Sequence, residues 1–524
     1  MFPALFFLNI EKMIEELKET LLDENHNIAL TENGAIMYET SGRNLLDLYW
    51  RTPSLRALGP ETLSEEEGLL TRAMMENKRL FAKFLFFLRD VRGGVGERNS
   101  FRNLYLWYLR VDRANALRFL PFVPEFGRWD DLVWLLCNYN FEDADTVRVK
   151  IAEIIGARLQ EDLESEGSIS LLAKWLPSPN AGATAHIQSK TVVKWLNKVG
   201  YRMNEAEYRK KLSQLREKLK IVERDISAKT YGNIDYPAVP SVANTYYGEL
   251  FLKYDPERRQ AYLDSLAQGE TKINASAVFP HDIYKNVNFH DDDPQTELEE
   301  MWKALPDYVE GNPGVLVVRD GSGSMEMQLP GSSVRALDVA SALCLYFSQR
   351  LIGEFKNKFI TFSAKPELVD ITKCKTLKQA KKLLNGYDDC SNTDIKKTFG
   401  LILDTAVKHR MRQDDLPKTV LIVSDMEFDG TVVGGYSGNP EPANLFETIR
   451  REFADKGYVM PKLVFWNVNS RHNAIPLMEN DYGVTLMSGY SVALCKMALT
   501  NEINPYKALV KELLGNRYSV IEVA

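Results

Sequence analysis

Asp320, Ser322 and Ser324 alternate with glycines in "VVRDGSGSM", residues 317–325, directly after the apolar run Gly314–Val318. One carboxylate and two hydroxyls are delivered by a run that reads as a buried strand. Two more oxygen donors stand at comparable points. Thr393 lies in "NTD" (392–394) ahead of a helical segment, and Asp425 closes the apolar run of "LIVSDMEFD" (421–429). All five are hard oxygen donors, with no His or Cys among them. Such a set suits an octahedral Mg²⁺, or Mn²⁺, that keeps several waters. Two carboxylates leave the cation under-neutralised, so one position stays open to a partner's carboxylate or phosphate. That is the chemistry of a metal-bridged contact rather than of catalysis.

Other readings of the same residues fail on spacing. A nucleophile elbow needs glycines two before and two after the serine. Ser322 has Asp320 two before it, and Ser324 has Ser322. A P-loop ends in Gly-Lys-Ser/Thr, which occurs nowhere in the chain. A phosphatase-type loop would carry a second aspartate at Ser322. A Gly/Ser turn with an aspartate cap accounts for "DGSGS" alone, but not for Thr393 and Asp425 at further loop and strand ends. No His, Glu or Cys reads as positioned beside these loops as base or nucleophile, so the expectation is a binding protein and not an enzyme.

The elements that must position these residues alternate after residue 300. Apolar strands are expected at Gly314–Val318, Phe359–Phe362, Thr419–Ser424, Pro461–Trp466 and Gly483–Met487. Helices are expected at Ser333–Leu351, Leu377–Leu384, Ile395–His409, Ala443–Lys456 and Pro505–Leu514. Short apolar strands separated by helices imply a doubly wound, mostly parallel α/β sheet, with its ligand site beyond the C-terminal strand ends. Residues 301–524 form this domain in our reading. Residues 1–300 read as an all-α domain of stacked helical repeats without a clean sequence period. Its helical segments are Leu63–Leu88, Ser100–Leu109, Leu132–Asn138, Asp145–Leu163, Thr191–Val199, Ala206–Ile226, Ala243–Leu252 and Glu257–Ala267. The acidic stretch 286–300, "NVNFHDDDPQTELEE", reads as the linker.

The helical half carries the basic clusters. "RDVRGGVGERNSFR" (89–102) sets Arg89, Arg92, Arg98 and Arg102 around glycines that would let backbone approach a phosphate ahead of a helix N-terminus. Asp90 and Glu97 offset them, and a solvated inter-helix loop explains the segment equally well. "FGRWDDLVWLL" (126–136) reads as a structural loop, a salt bridge packed on an aromatic. Residues 187–224 hold eleven Lys/Arg against four Glu, a net charge of +7. Lys190, Lys194 and Lys198 recur every four residues on one helix face, interleaved with Trp195 and Tyr201. Such a face can track a phosphate backbone with steep salt dependence; a charge run is also the ordinary composition of a solvated face.

Composition limits the alternatives. The chain has 524 residues and a formal net charge of −7, so a nucleic-acid surface must be local. Five scattered cysteines without a CxxC pair support neither a disulfide framework nor a zinc knuckle, and fit a reducing, cytoplasmic setting. The opening "MFPALFFLNI" lacks a basic region and a cleavage site, so a packed terminal element is expected rather than a leader. No apolar run approaches the length of a membrane helix.

Asp320-x-Ser322-x-Ser324, then Thr393, then Asp425, resembles the metal-ion-dependent adhesion site of von Willebrand factor A domains, over about residues 311–524. The resemblance implies that Ser322 and Ser324 are direct hydroxyl ligands, and that Thr393, Asp320 and Asp425 bind directly or through water. Arg319 departs from that pattern, placing a positive charge beside the site that would weaken metal binding or help hold an anion. The order of parts resembles the Ro autoantigen (TROVE-domain) family, and more closely a Ro-like family of unknown function. "TENGAIMYETSGRNLLDLYWR" (31–51), "RDVRGGVGERNSFR", "GRWDDL", "KWLPSPN" (174–180), "IDYPAVPSVA" (234–243) and "SDMEFDG" (424–430) carry that resemblance. It implies a HEAT-like helical region that binds small structured RNA or a ribonucleoprotein. A protein–protein adaptor, in which a partner's acidic residue completes the metal shell, is the alternative expectation.

Overall fold

The computed structural model describes residues 28–523 apart from 31–35, 57–58, 60–62, 64–65, 142, 277, 290–294, 310–313, 331, 389–393, 427–441, 470–483, 492–493 and 495–503. The opening apolar run and Thr393 therefore lie outside the described residues.

The first 300 residues are mostly helical, apart from a short antiparallel hairpin of β1 (Ile28–Leu30) and β2 (Ile36–Tyr38). The long helix expected at Leu63–Leu88 is two helices, Glu67–Glu76 and Lys78–Arg89. Asn77 breaks it by going extended, and its side chain accepts the Leu80 N–H at 2.9 Å, the usual chemistry of an N-cap. The segment expected at Ala206–Ile226 likewise divides into Glu205–Lys218 and Val222–Ala228, with Lys220 at φ 49° between them.

The C-terminal part is a six-stranded sheet in the order β5-β4-β3-β6-β7-β8. The strands are β3 (Val315–Asp320), β4 (Lys358–Phe362), β5 (Leu368–Asp370), β6 (Thr419–Ser424), β7 (Lys462–Asn467) and β8 (Val484–Ser488). All pairs are parallel except the edge pair β4–β5. This is the reversing order of a doubly wound sheet, and its switch point lies between β3 and β6. Alternate residues serve opposite faces. Val315, Val317, Leu421, Val423, Val464 and Trp466 join the core shared with helix Ala336–Arg350 and the helical half. Leu316, Val318, Val420, Ile422, Leu463 and Phe465 pack with Phe399, Ile402, Phe446 and Phe453 from the helices on the other side.

The two halves share polar contacts as well as core. Helix Asn44–Trp50 sends Trp50 into the second core cluster, where its carbonyl accepts from Asn467 Nδ2 at 3.2 Å and Ser488 Oγ at 3.0 Å. Near the C-terminus, Tyr518 stacks on Phe126 at 5.6 Å, and its hydroxyl donates to the buried Asp90 at 3.0 Å. Arg517 closes the other side of Asp90. The segment read as a linker contains helix Thr296–Lys303. Its Glu297 pairs with Arg259 of the helical half, Glu299 accepts the Leu377 N–H at 2.5 Å, and Trp302 donates to Gln349 at 2.7 Å.

Candidate functional site

Asp320 is the last residue of β3, the central strand beside the switch point. It is 1% exposed. Its Oδ1 accepts the Ser322 N–H at 2.9 Å, and its Oδ2 accepts the hydroxyl of Ser424 at 2.5 Å. Burial raises its pKa against those donors. The Ser322 and Ser324 hydroxyl oxygens lie 3.1 Å apart across a single turn of 3-10 helix that begins at Gly323. Two adjacent ligands at ~2.1 Å in an octahedron are separated by about 3 Å, so this spacing fits the edge of a Mg²⁺ shell.

Gly321 makes the turn possible. A Cβ there would meet the Tyr387 carbonyl oxygen at 2.8 Å, so the 386–388 segment lies directly on the "DGSGS" loop. Asp425 follows β6 and is buried beside it; Met426 after it holds φ 66°, a conformation that side chains other than glycine rarely adopt. The structure thus brings Asp320, Ser322 and Ser324 into one turn and sets Asp425 at the end of the adjacent strand. Among the described residues no group of three or more His, Cys, Asp or Glu gathers in a metal-binding arrangement. Any cation here would rest on hydroxyls as much as on carboxylates.

Arg319 does set a positive charge beside the site, and its field opposes the burial-driven rise in the pKa of Asp320, but the side chain is tied down rather than open to a ligand. As Asp320's neighbour in a strand it faces the opposite side of the sheet. There Nε donates to Ser341 at 2.9 Å, Nη1 to the Leu384 carbonyl at 3.4 Å, and Nη2 pairs with Asp388. Its charge is paired under the loop. Ser424 was missed by sequence reasoning. Its signal was a hydroxyl at the end of an apolar run, and its role became visible only through the β3–β6 register.

The basic residues of the helical half separate into two environments. Lys190, Lys194 and Lys198 are exposed along helix Ala183–Lys198 above the buried Trp195. Lys194 and Lys198 hold their ammonium groups 5.8 and 4.4 Å from its ring centre, and Arg148 lies 5.7 Å from it. Lys198 also pairs with Asp145 at 2.7 Å. Arg92 is exposed. Arg98 is the N-cap of helix Asn99–Val111, and Arg102 is tied to Asp131 at 2.7 Å and Asp130 at 2.9 Å. The glycines between them serve packing. A Cβ on Gly94 would collide with the Phe87 carbonyl at 2.0 Å.

Residues 148–309 match a domain of unknown function (DUF2828), and residues 315–513 match another (DUF7788). The chain is 27% identical over 526 residues to the uncharacterized protein L728 of Acanthamoeba polyphaga mimivirus, covering 93% of this chain and 87% of the relative. Among solved structures, the Ro (RSR) protein of Deinococcus radiodurans is similar at 13% identity and a TM-score of 0.35, over 87% of this chain and 92% of that one. Among the described residues no helix is long and apolar enough to cross a membrane.

Proposed function

We propose that this is a non-enzymatic, two-part binding protein of the cytoplasm. Its α/β part, read as a von Willebrand factor A-like domain, holds Mg²⁺ or Mn²⁺ on Asp320, Ser322, Ser324 and Asp425, with Thr393 as the fifth donor from the sequence pattern. Its helical part, read as a HEAT-like, Ro-like array, binds small structured RNA or a ribonucleoprotein. The observation that carries the metal reading is the pair of hydroxyls 3.1 Å apart beside a buried carboxylate at the switch point of the sheet. When bound, the cation would supply an open position for a ligand's phosphate or carboxylate oxygen. Asp320 fixes the loop through the Ser322 amide, and Ser424 fixes Asp320.

The RNA reading is supported by the exposed row of Lys190, Lys194 and Lys198. Trp195 is 4% exposed, so it braces Lys194 and Lys198 and is not itself a stacking platform. A solvated lysine row of one sign, with Asp145 as an ion-pair partner, is an electrostatic surface. The test is purification at low salt, with absorbance at 260 and 280 nm read before and after nuclease, followed by RNA titrations at several salt concentrations. The expected result is co-purifying RNA and a steep salt slope that falls by about 2 in the Lys190→Glu, Lys194→Glu, Lys198→Glu variant. Protein free of nucleic acid, capturing a protein partner only without chelator, would move the function to the metal-bridged adaptor.

A further inference from the structure

The segments "RDVRGGVGERNSFR" and "FGRWDDLVWLL" meet in space, and their charges do not balance. Asp131 is completely buried and bridges two guanidinium groups, with Oδ2 accepting from Arg89 Nε at 2.8 Å and Oδ1 from Arg102 Nε at 2.7 Å. Asp130 accepts from Arg102 at 2.9 Å. Arg98 and Arg128 complete the group, so four guanidinium groups face two carboxylates.

Neither Arg98 nor Arg128 has a carboxylate partner among the described residues. Arg128 lies over the Trp175 ring at 4.7 Å. Burial and the neighbouring guanidinium groups lower the proton affinity of both.

Two features make this surplus more than a salt-bridge network. Arg98 caps helix Asn99–Val111 without a side-chain cap bond and with no acidic residue in the first turn, whereas helix Trp129–Asn138 already has Asp131 accepting the Arg128 N–H at 3.0 Å. A cation at a helix N-terminus opposes the helix dipole, where Ser, Asp or Asn would be stabilising. Behind them, Arg89 is 1% exposed with Nη2 lacking any acceptor, and Ser100, fully buried in the first turn of its helix, has an unpartnered hydroxyl. Asp130 Oδ1 is likewise unpartnered, and Arg102 already occupies that carboxylate's other oxygen. An excess of positive charge gathered at a helix N-terminus is completed by an anion with several acceptor oxygens.

We propose that Arg98, Arg102 and Arg128, backed by the buried charge of Arg89, form a phosphate-binding site at the N-terminus of helix Asn99–Val111. Arg98 reaches solvent and Arg128 is half-buried, so these two make the direct contacts. The proposal rests on the RNA reading only for the source of the phosphate, a nucleic-acid backbone rather than a free ion.

The experiment compares wild type with Arg98→Gln/Arg128→Gln, which leaves the Arg89–Asp131–Arg102 network in place. In chloride buffer the variant should unfold at the wild-type midpoint or above it, because two like charges without carboxylate partners are gone. Inorganic phosphate, at matched ionic strength, should raise the wild-type midpoint by about 1–2 °C and leave the variant unmoved. An oligoribonucleotide should bind the variant about tenfold more weakly, with a salt slope lower by about 1–2. A loss in the phosphate arm, with no RNA bound by either protein, keeps the site, assigns it to free phosphate and ends the RNA reading. Equal behaviour of the two proteins in both arms overturns the site, and leaves the RNA reading standing if both bind RNA.

Discussion

Two buried arginines, Arg319 in the α/β half and Arg89 in the helical half, are each 1% exposed but stand in opposite electrostatic settings. Every nitrogen of Arg319 that could donate has an acceptor, in Ser341, the Leu384 carbonyl and Asp388. Its charge is paired with Asp388 under the loop, and the side chains at the strand end above it offer carboxylate and hydroxyl oxygen. Arg89 shares Asp131 with Arg102, keeps one nitrogen unpartnered, and has two further arginines beside it. The first region is left short of positive charge and the second short of negative charge. A buried arginine therefore does not mark a ligand site by itself; the sign of what its neighbours leave uncompensated does.

The largest effect is expected at Arg319. Arg319→Leu leaves Asp388 without its partner under the loop and should destabilise the protein by about 3–5 kcal/mol, read from the unfolding midpoint. A near-neutral outcome would mean that its ion pair is not what holds the loop.

His281 tests whether the two regions are held in one body. It stacks on Phe279 at 5.3 Å and meets Tyr490 edge-on at 5.9 Å. Burial pushes its pKa down to about 4, with Arg56 and Lys285 adding to the shift and Asp282 and Asp338 opposing it. The folded pKa lies below the unfolded value near 6.5. Its stabilising contribution is therefore fully present above about pH 6.5 and is lost as pH falls toward 4, by an amount on the order of 3 kcal/mol. His281→Gln should flatten the dependence of the unfolding midpoint on pH in that window.

Ser424→Ala removes the donor to Asp320 Oδ2 and should cost about 1–3 kcal/mol of stability together with weaker divalent-metal binding. Retained metal affinity would show that Asp320 is oriented by its own loop alone. The smallest effect belongs to Lys198→Ala. Its pair with Asp145 is solvent-exposed on both sides, so the unfolding midpoint should not move, while the RNA salt slope falls by less than 1.

Much of this was legible in the sequence because the central strands are buried on both faces and read as apolar runs. Asp320 and Asp425 stood out as the first carboxylates after such runs. The charge of Arg319 beside Asp320 was legible, but its pairing with Ser341 and Asp388 was not, because strand alternation and the 386–388 segment decide it. Ser424 depends on register between strands about a hundred residues apart, which no local pattern encodes. The short edge strand β5, with only Val369 buried, has too few apolar residues to announce itself. Helix Asn44–Trp50 matters through Tyr49 and Trp50, which reach the other half at Asn467 and Ser488, contacts fixed by tertiary packing. The arginine cluster was read as separate segments, one of them as a structural loop, and its imbalance appears only when the two are brought together.

The proposed cation site lies at the strand end beyond β3. Mn²⁺ binding, followed by electron paramagnetic resonance on wild type and Asp320→Ala, tests it most directly. One Mn²⁺ per chain in wild type, displaced by Mg²⁺ and lost in Asp320→Ala, is the predicted result. Equal Mn²⁺ binding by the two proteins, or none by wild type, would contradict it.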